Sequence, residues 1–188
     1  PRRSEKLERT LRGELNGWTS NVLNRKMSQL ASIILRMNAG NGPDLMGVCE
    51  VENRYVLDLL VNALRPLNRN YAVAHDDASD RRGIDVAFIY DADLFTAEEQ
   101  FSHFIVKRSA TRDLFQVNFR TNADRLLVVI GNHWPSRSGG QYESEPYRII
   151  AGETLAYFHE RIRQVQNDDS AAVLAMGDFN DEPFNRSL

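Results

Sequence analysis

The sequence predicts a layered α/β or α+β sandwich, and three observations carry that prediction. Short, strongly apolar runs of strand length are interspersed with amphipathic stretches of helical period. Two runs near the middle follow each other with no helix between them, so the chain is not a regular βα repeat. No internal repeat or low-complexity segment interrupts the mixture. At 188 residues the chain suits one domain with a sizeable core, or most of a larger one.

Residues 1–20 are polar, rich in Arg and Glu and without period, and read as a surface arm or loop. From about Asn24 to Asn38, Met27, Leu30, Ala31, Ile34 and Met37 recur at helical spacing, and Gly40-Asn41-Gly42-Pro43 stops them. Asp44 to Glu50 is a continuous apolar run, as expected of a strand covered on both faces. Val56, Leu57, Leu60, Val61 and Leu64 predict a helix over about Asn53 to Leu64, ending before Pro66. Tyr71 to His75 reads as a short strand, His75 to Gly83 as a charged loop, and Ile84 to Tyr90 as a buried strand. Phe101–Lys107 and Leu114–Phe119 alternate as an antiparallel pair, and Leu126 to Ile130 is strongly apolar. A glycine-rich loop, Ser136 to Gln141, precedes a helix over about Ser144 to Gln166. A last strand begins near Ala171 and runs into Gly177-Asp178-Phe179-Asn180.

Composition is ordinary for a globular domain, with 42% hydrophobic and 26% charged residues. A net charge of -3 gives no global attraction to nucleic acid or anionic membrane, although a local basic cleft remains compatible with a phosphate substrate. The single cysteine, Cys49, excludes an internal disulfide framework, and its apolar run places it as a buried thiol. No segment reaches the roughly 18 apolar residues that span a bilayer. No leader peptide is visible, and the compartment stays open.

Three apolar strands each deliver polar groups at or just past their C-terminal ends: Glu50, Asn132-His133 and Asp178-Asn180. If these strands are neighbours running the same way, the groups converge where ligands bind in many α/β sheets. Glu50 is either a solvent-facing strand end or a hard oxygen ligand for Mg2+ or Mn2+. Glu52, two residues on, reads as an acid at the start of the following helix. His133 is flanked by Asn132 and by Trp134-Pro135-Ser136-Arg137-Ser138-Gly139-Gly140, a mixture of amide, hydroxyl, guanidinium and flexible backbone suited to an anionic oxygen. Asp178 and Asn180 open like a calcium loop, but position six is Pro183 instead of glycine and the 188 residues end at the eleventh position, so that reading fails. A backbone-capping turn is the plain alternative. In Asp80-Arg81-Arg82-Gly83-Ile84-Asp85, Arg82 beside a glycine can approach phosphate, and Asp85 entering a buried strand needs a partner, for which either arginine serves. His75, His103 and His159 read as structural or surface residues.

Four stretches in order resemble the endonuclease/exonuclease/phosphatase family, metal-dependent phosphoesterases related to pancreatic-type deoxyribonuclease. They are Gly47-Val48-Cys49-Glu50-Val51-Glu52-Asn53, Arg82-Gly83-Ile84-Asp85-Val86-Ala87-Phe88-Ile89-Tyr90, Asn132-His133-Trp134-Pro135-Ser136 and Gly177-Asp178-Phe179-Asn180. The resemblance implies a four-layer sandwich of two β-sheets flanked by helices, as a single domain over 1–188. It implies phosphoester hydrolysis by in-line attack of water with a Mg2+ or Mn2+ cofactor. Glu50 matches the family's metal-binding glutamate, and His133 the histidine at the scissile phosphate. Asp178 matches the aspartate that orients or deprotonates the water, and Asn180 the amide beside it. Asn132, Ser136, Arg137 and Arg82 are the expected substrate contacts. Cys49 stands where the family has glutamine, which alters the support behind the metal ligand. The family's opening strand with its asparagine and its closing Ser-Asp-His segment have no counterpart, so the expected sandwich is incomplete at both ends.

The expected reaction is that of a phosphodiesterase or nuclease, with DNA or RNA as the partner, no membrane span and no obligate protein partner. A phosphomonoesterase acting on sugar, lipid or inositol phosphates shares the same motifs. A truncated, non-catalytic binding domain is the third reading.

Overall fold

Along Asp85–Asp91, the third strand (β3), side chains alternate between two apolar surroundings: Val86, Phe88 and Tyr90 turn one way, Ala87 and Ile89 the other. That period of two divides the molecule into layers. The computed structural model describes residues 12–13, 16–78, 83–106, 111–166 and 172–188. Its elements are helix α1 (Ser20–Ile34), β1 (Leu45–Val51), α2 (Arg54–Ala63), β2 (Tyr71–His75), β3, β4 (Phe95–His103), β5 (Leu114–Thr121), β6 (Leu126–His133), α3 (Gln141–Gln166) and β7 (Ala172–Asp178).

The first sheet has the order β1-β3-β2 and is antiparallel throughout; the second has the order β4-β5-β6-β7. Only its last pair, β6 and β7, is parallel, because α3 carries the chain back across the sheet between them. The sheets meet through Val86, Phe88, Phe115, Val117, Phe119 and Val129. Phe88 stacks on Phe115 with centroids 5.7 Å apart. A Cβ on Gly131 would come within 2.6 Å of the Val86 side chain, so glycine allows the sheets to approach this closely. α1 and α2 cover the outer face of the first sheet through Met27, Ala31, Ile34, Leu57 and Leu60, against Ala87 and Ile89. α3 covers the second through Ala151 and Ile162, against Val128, Ile130 and Trp134. The result is the expected four-layer α+β sandwich. Each fully buried Phe, Leu or Val at these interfaces contributes about 1.5–3 kcal/mol.

Several boundaries differ from the reading of the sequence. α1 begins at Ser20, four residues early, because Thr19 caps it by accepting from the Val22 amide. Its first turn sends one residue, Leu23, against the core, too few to show the period by itself. It ends by Ile34, where the backbone tightens into shorter-range turns and a 3-10 segment at Asn38–Gly40. The remainder of the expected arm, residues 1–11, 14 and 15, lies outside the described residues. β4 runs over Phe95–His103 instead of Phe101–Lys107, its register set by pairing with β5 from Phe95↔Thr121 to His103↔Leu114. β6 continues past Ile130 to His133, and α3 starts at Gln141.

The apolar run of β1 reads as a strand covered on both faces, and that of β7 as a buried strand. Both instead lie at sheet edges among the described residues, so β1 is half-buried and most of β7 is exposed. Cys49 is accordingly half-buried, not enclosed.

Candidate active site

The C-terminal ends of β1, β6 and β7 meet at one end of the sandwich, although β1 belongs to the opposite sheet. β6 and β7 run side by side, with Asn132 opposite Gly177 and His133 opposite Asp178. β1 packs across them from the other sheet. Glu50 Oε1 lies 3.8 Å from His133 Nε2, and the Cys49 thiol donates to the Asn132 carbonyl at 3.5 Å.

Glu50 owes its direction to an irregularity. β1 and β3 pair regularly up to Cys49↔Val86, then skip Glu50 and resume at Val51↔Asp85. At this bulge Glu50 has φ 60, a left-handed conformation that costs a non-glycine residue about 1–3 kcal/mol. The bulge leaves its carboxylate 74% exposed while the imidazole beside it is buried. Asn180, with φ 51, is the second candidate residue in this strained region. Its backbone amide donates to Asp178 Oδ1 at 2.9 Å, and its side-chain amide to the Trp134 carbonyl at 2.9 Å. The capping turn considered as an alternative for Asp178 is therefore present, and it also links the turn to the β6 end.

Gly177 makes the turn possible. At φ 135 only glycine is unstrained, and a Cβ there would collide with the Asn132 carbonyl. Asn132 is fully buried: its amide donates to the Ile130 carbonyl at 2.8 Å and its oxygen accepts from Trp134 Nε1 at 2.9 Å. Its side chain supports the site from within. Ser136 and Ser138 share a 2.7 Å hydrogen bond in the following loop, and Arg137 reaches Glu182 at 3.4 Å. This ion pair ties the loop after β6 to the turn after β7. Arg82 lies outside the described residues.

Two buried arginines escape notice in the sequence. Arg148 on α3 pairs with Asp181 at 2.8 Å and also donates to Ser144 Oγ. Burial alone would raise the Asp181 pKa, but hydrogen bonds from Ser187, Arg148 and Asn185 and the Arg148 charge prevail and hold it at about 2. Arg112, just before β5, donates to the carbonyls of His133 and Trp134. Neither arginine carries a local signal, since burial of a charge is decided by the fold.

Asp85 finds a partner in His75, at 2.9 Å, and a second in the Ala78 amide, whereas Arg81 and Arg82 lie outside the described residues. Burial nonetheless pushes the Asp85 carboxyl above its usual range. His75, Asp77 and Asp85 form the one group of three metal-type side chains among the described residues, with donor atoms within 4.8 Å of one another. Glu50 is not part of it. Burial likewise pushes the Cys49 thiol up, so the residue standing at the family's glutamine position remains a neutral thiol. No helix among the described residues is long and apolar enough to cross a membrane.

Two face-to-face sheets enclosed by helices, with polar groups gathered at strand ends from both sheets, define the class of layered α/β sandwiches to which the chain is assigned. Residues 5–188 match the model of the endonuclease/exonuclease/phosphatase family, and the chain belongs to that family. No curated protein matches it in sequence. Among solved structures it is similar to a truncated TDP2 from Caenorhabditis elegans, with TM-score 0.61 and 17% identity over 89% of this chain and 60% of that one. It is similar to a mannosyl-6-phosphatase from Bacteroides thetaiotaomicron, with TM-score 0.63 and 15% identity over 88% and 60%. The human nocturnin catalytic domain with bound sulfate gives TM-score 0.63 and 14% identity over 86% and 60%. At these identities the likeness is one of fold, and the chain spans 60% of each of those chains.

Proposed function

We propose that this chain carries the catalytic face of a divalent-metal-dependent phosphodiesterase that cleaves nucleic acid by in-line attack of water. The observation that supports this most is the meeting of Glu50, His133 and the Asp178–Asn180 turn at one end of the sandwich, with Glu50 Oε1 3.8 Å from His133 Nε2. Membership of the endonuclease/exonuclease/phosphatase family supports phosphoester hydrolysis as the reaction class.

Glu50 fits Mg2+ or Mn2+: it is an exposed carboxylate, aimed by a strained bulge, of the kind these ions take while keeping most of their waters. A metal held there neutralises phosphate charge and polarises the phosphoryl oxygens. The protein side chains do the rest. Asp178 accepts the proton of the attacking water, and the cap it forms on Asn180 fixes its direction. His133 donates to a non-bridging oxygen as negative charge grows in the transition state. Asn180 holds the phosphate beside it. Ser136 and Arg137 contact the flanking substrate, and Arg82 is a further candidate contact on the strength of its sequence alone. Asn132 acts indirectly, by shaping the β6 end.

A second reading keeps the site and exchanges the substrate for a phosphomonoester of a sugar, lipid or inositol. The net charge of -3 favours it, since a long polyanion gains nothing from the molecule as a whole.

The test uses the full-length parent protein with Mg2+ or Mn2+ on duplex DNA, RNA, a small diester and a sugar phosphate, with Glu50→Gln and Asp178→Asn as controls. Chelator-sensitive cleavage of nucleic acid, reduced at least about 100-fold in both variants, is the expected result. Faster turnover of the monoester selects the second reading. No turnover with any metal leaves a binding domain, and full activity in either variant overturns the site.

A further inference from the structure

Three segments distant in sequence share one carbonyl. Trp134 O accepts from Arg112 Nη2 at 2.7 Å and from Asn180 Nδ2 at 2.9 Å. Arg112 Nε donates at 3.0 Å to the preceding carbonyl, that of His133. The Trp134 amide donates at 2.8 Å to the Asp178 carbonyl. The end of β6, the turn after β7 and the segment entering β5 are thereby joined. Arg112 is only 6% exposed, so its guanidinium lies beneath the candidate site, behind the backbone of the residues that form it.

We propose that Arg112 is a positioning residue: through the His133 and Trp134 carbonyls it sets the placement of His133 relative to Asn180. The proposal rests on the phosphodiesterase reading of the site. A buried arginine is costly to desolvate, and apolar packing in its place is often no less stable, so stability alone is a poor reason for this charge. The planar guanidinium offers what an apolar side chain lacks, two parallel donors with the spacing of successive acceptors. With Arg112 and Asn180 on one oxygen, both of its lone pairs are engaged. Asn180 is held at φ 51, and one of its two holding bonds ends on that oxygen. Loss of the guanidinium lets the Trp134 peptide rotate, and Asn180 then shifts away from the buried His133. Lysine keeps the charge but lacks the fork.

The experiment compares wild type, Arg112→Lys and Arg112→Met in the full-length parent protein, by kinetics and by NMR of the Asn180 carboxamide and the His133 ring. Expected for Arg112→Lys is a kcat about 10-fold lower with KM within about threefold, and for Arg112→Met a loss of about 100-fold. The Asn180 and His133 signals shift, while the methyls of Leu57 and Leu60 in the helix-side core do not. Because Arg112 acts in part by placing Asn180 through the Trp134 carbonyl they share, Arg112→Lys combined with Asn180→Ala loses less than the product of the two single losses. If Arg112→Met fails to fold, the lysine variant and the double variant still decide. The proposal is overturned by unshifted Asn180 and His133 signals, by kcat within twofold of wild type in Arg112→Lys, or by losses that multiply in the double variant. A wild-type protein without phosphoesterase activity sinks the phosphodiesterase reading instead, and the NMR arm then still tells whether Arg112 places the two residues.

Discussion

Arg148 and Asp181 form an ion pair sealed from solvent: Nε lies 2.8 Å from Oδ2, and the two side chains are 1% and 0% exposed. Asp181 follows the Asp178–Asn180 turn directly, so the pair fastens that turn to the long helix α3. Asn185 and Ser187 supply further donors to the same carboxylate. Removing the guanidinium leaves a buried, unbalanced carboxylate. Arg148→Met is therefore expected to destabilise the fold by about 3–5 kcal/mol in urea unfolding. Arg148→Met with Asp181→Leu is expected to recover part of that loss, since neither partner is then left alone.

The same carboxylate sets an acid limit. Its pKa is about 2 in the fold, below the ordinary aspartate value of 3.8. A depressed carboxyl pKa stabilises the fold above the unfolded value and loses that contribution as pH falls through the folded one. Stability attributable to Asp181 is thus fully present above about pH 4 and is lost towards pH 2. Denaturant unfolding of Asp181→Asn across this window is expected to show a shallower fall than wild type, from a lower starting stability.

His103 has the opposite chemistry and a different window. Its ring stacks on Phe158 with centroids 3.7 Å apart, its Nε2 meets Gln116 Oε1 at 2.6 Å, and burial pushes its pKa below 6.5. Because the unfolded chain binds the proton more readily, stability falls as pH drops below about 6.5 and levels off once the folded ring titrates. His103→Gln is expected to abolish that slope, measured by urea unfolding between pH 7 and 5.

Gly177→Ala tests the backbone of the β7 turn. The added methyl meets the Asn132 carbonyl at a φ that disfavours side chains, so a loss of at least about 2 kcal/mol is expected. Thermal unfolding measures it. A shift under about 2 °C would mean that the turn relaxes freely.

Glu50 can be examined without catalysis. If it holds the cofactor, saturating Mg2+ raises the melting temperature of wild type by a few degrees and leaves Glu50→Ala unmoved. An equal response in both would place the ion elsewhere, with His75, Asp77 and Asp85 the next group to mutate.

Much of this architecture is legible in the order of residues. Period-two alternation along β3 and the 3.6 period of α1 and α2 follow from which faces must leave water, and each is written locally. The polar strand ends at Glu50, His133 and Asp178 were visible for the same reason. Four hidden features depend on partners remote in the chain. The β4 register comes from its pairing with β5, and the exposure of β1 and β7 from their rank in the sheets. The φ of Glu50 comes from a residue skipped opposite β3. Arg112 and Arg148 are two among 23 basic residues and resemble any surface charge until the fold encloses them.

The layered class, the apolar faces and the polar groups at three strand ends follow from the order of residues, because burial of a side chain is signalled by the spacing of its neighbours. Tertiary structure alone decided that β1 delivers Glu50 from the opposite sheet, that a bulge aims it at His133, and that buried arginines hold the two turns behind it. Those outcomes depend on contacts between residues far apart in the chain, each weak or costly alone, and no local pattern records their sum.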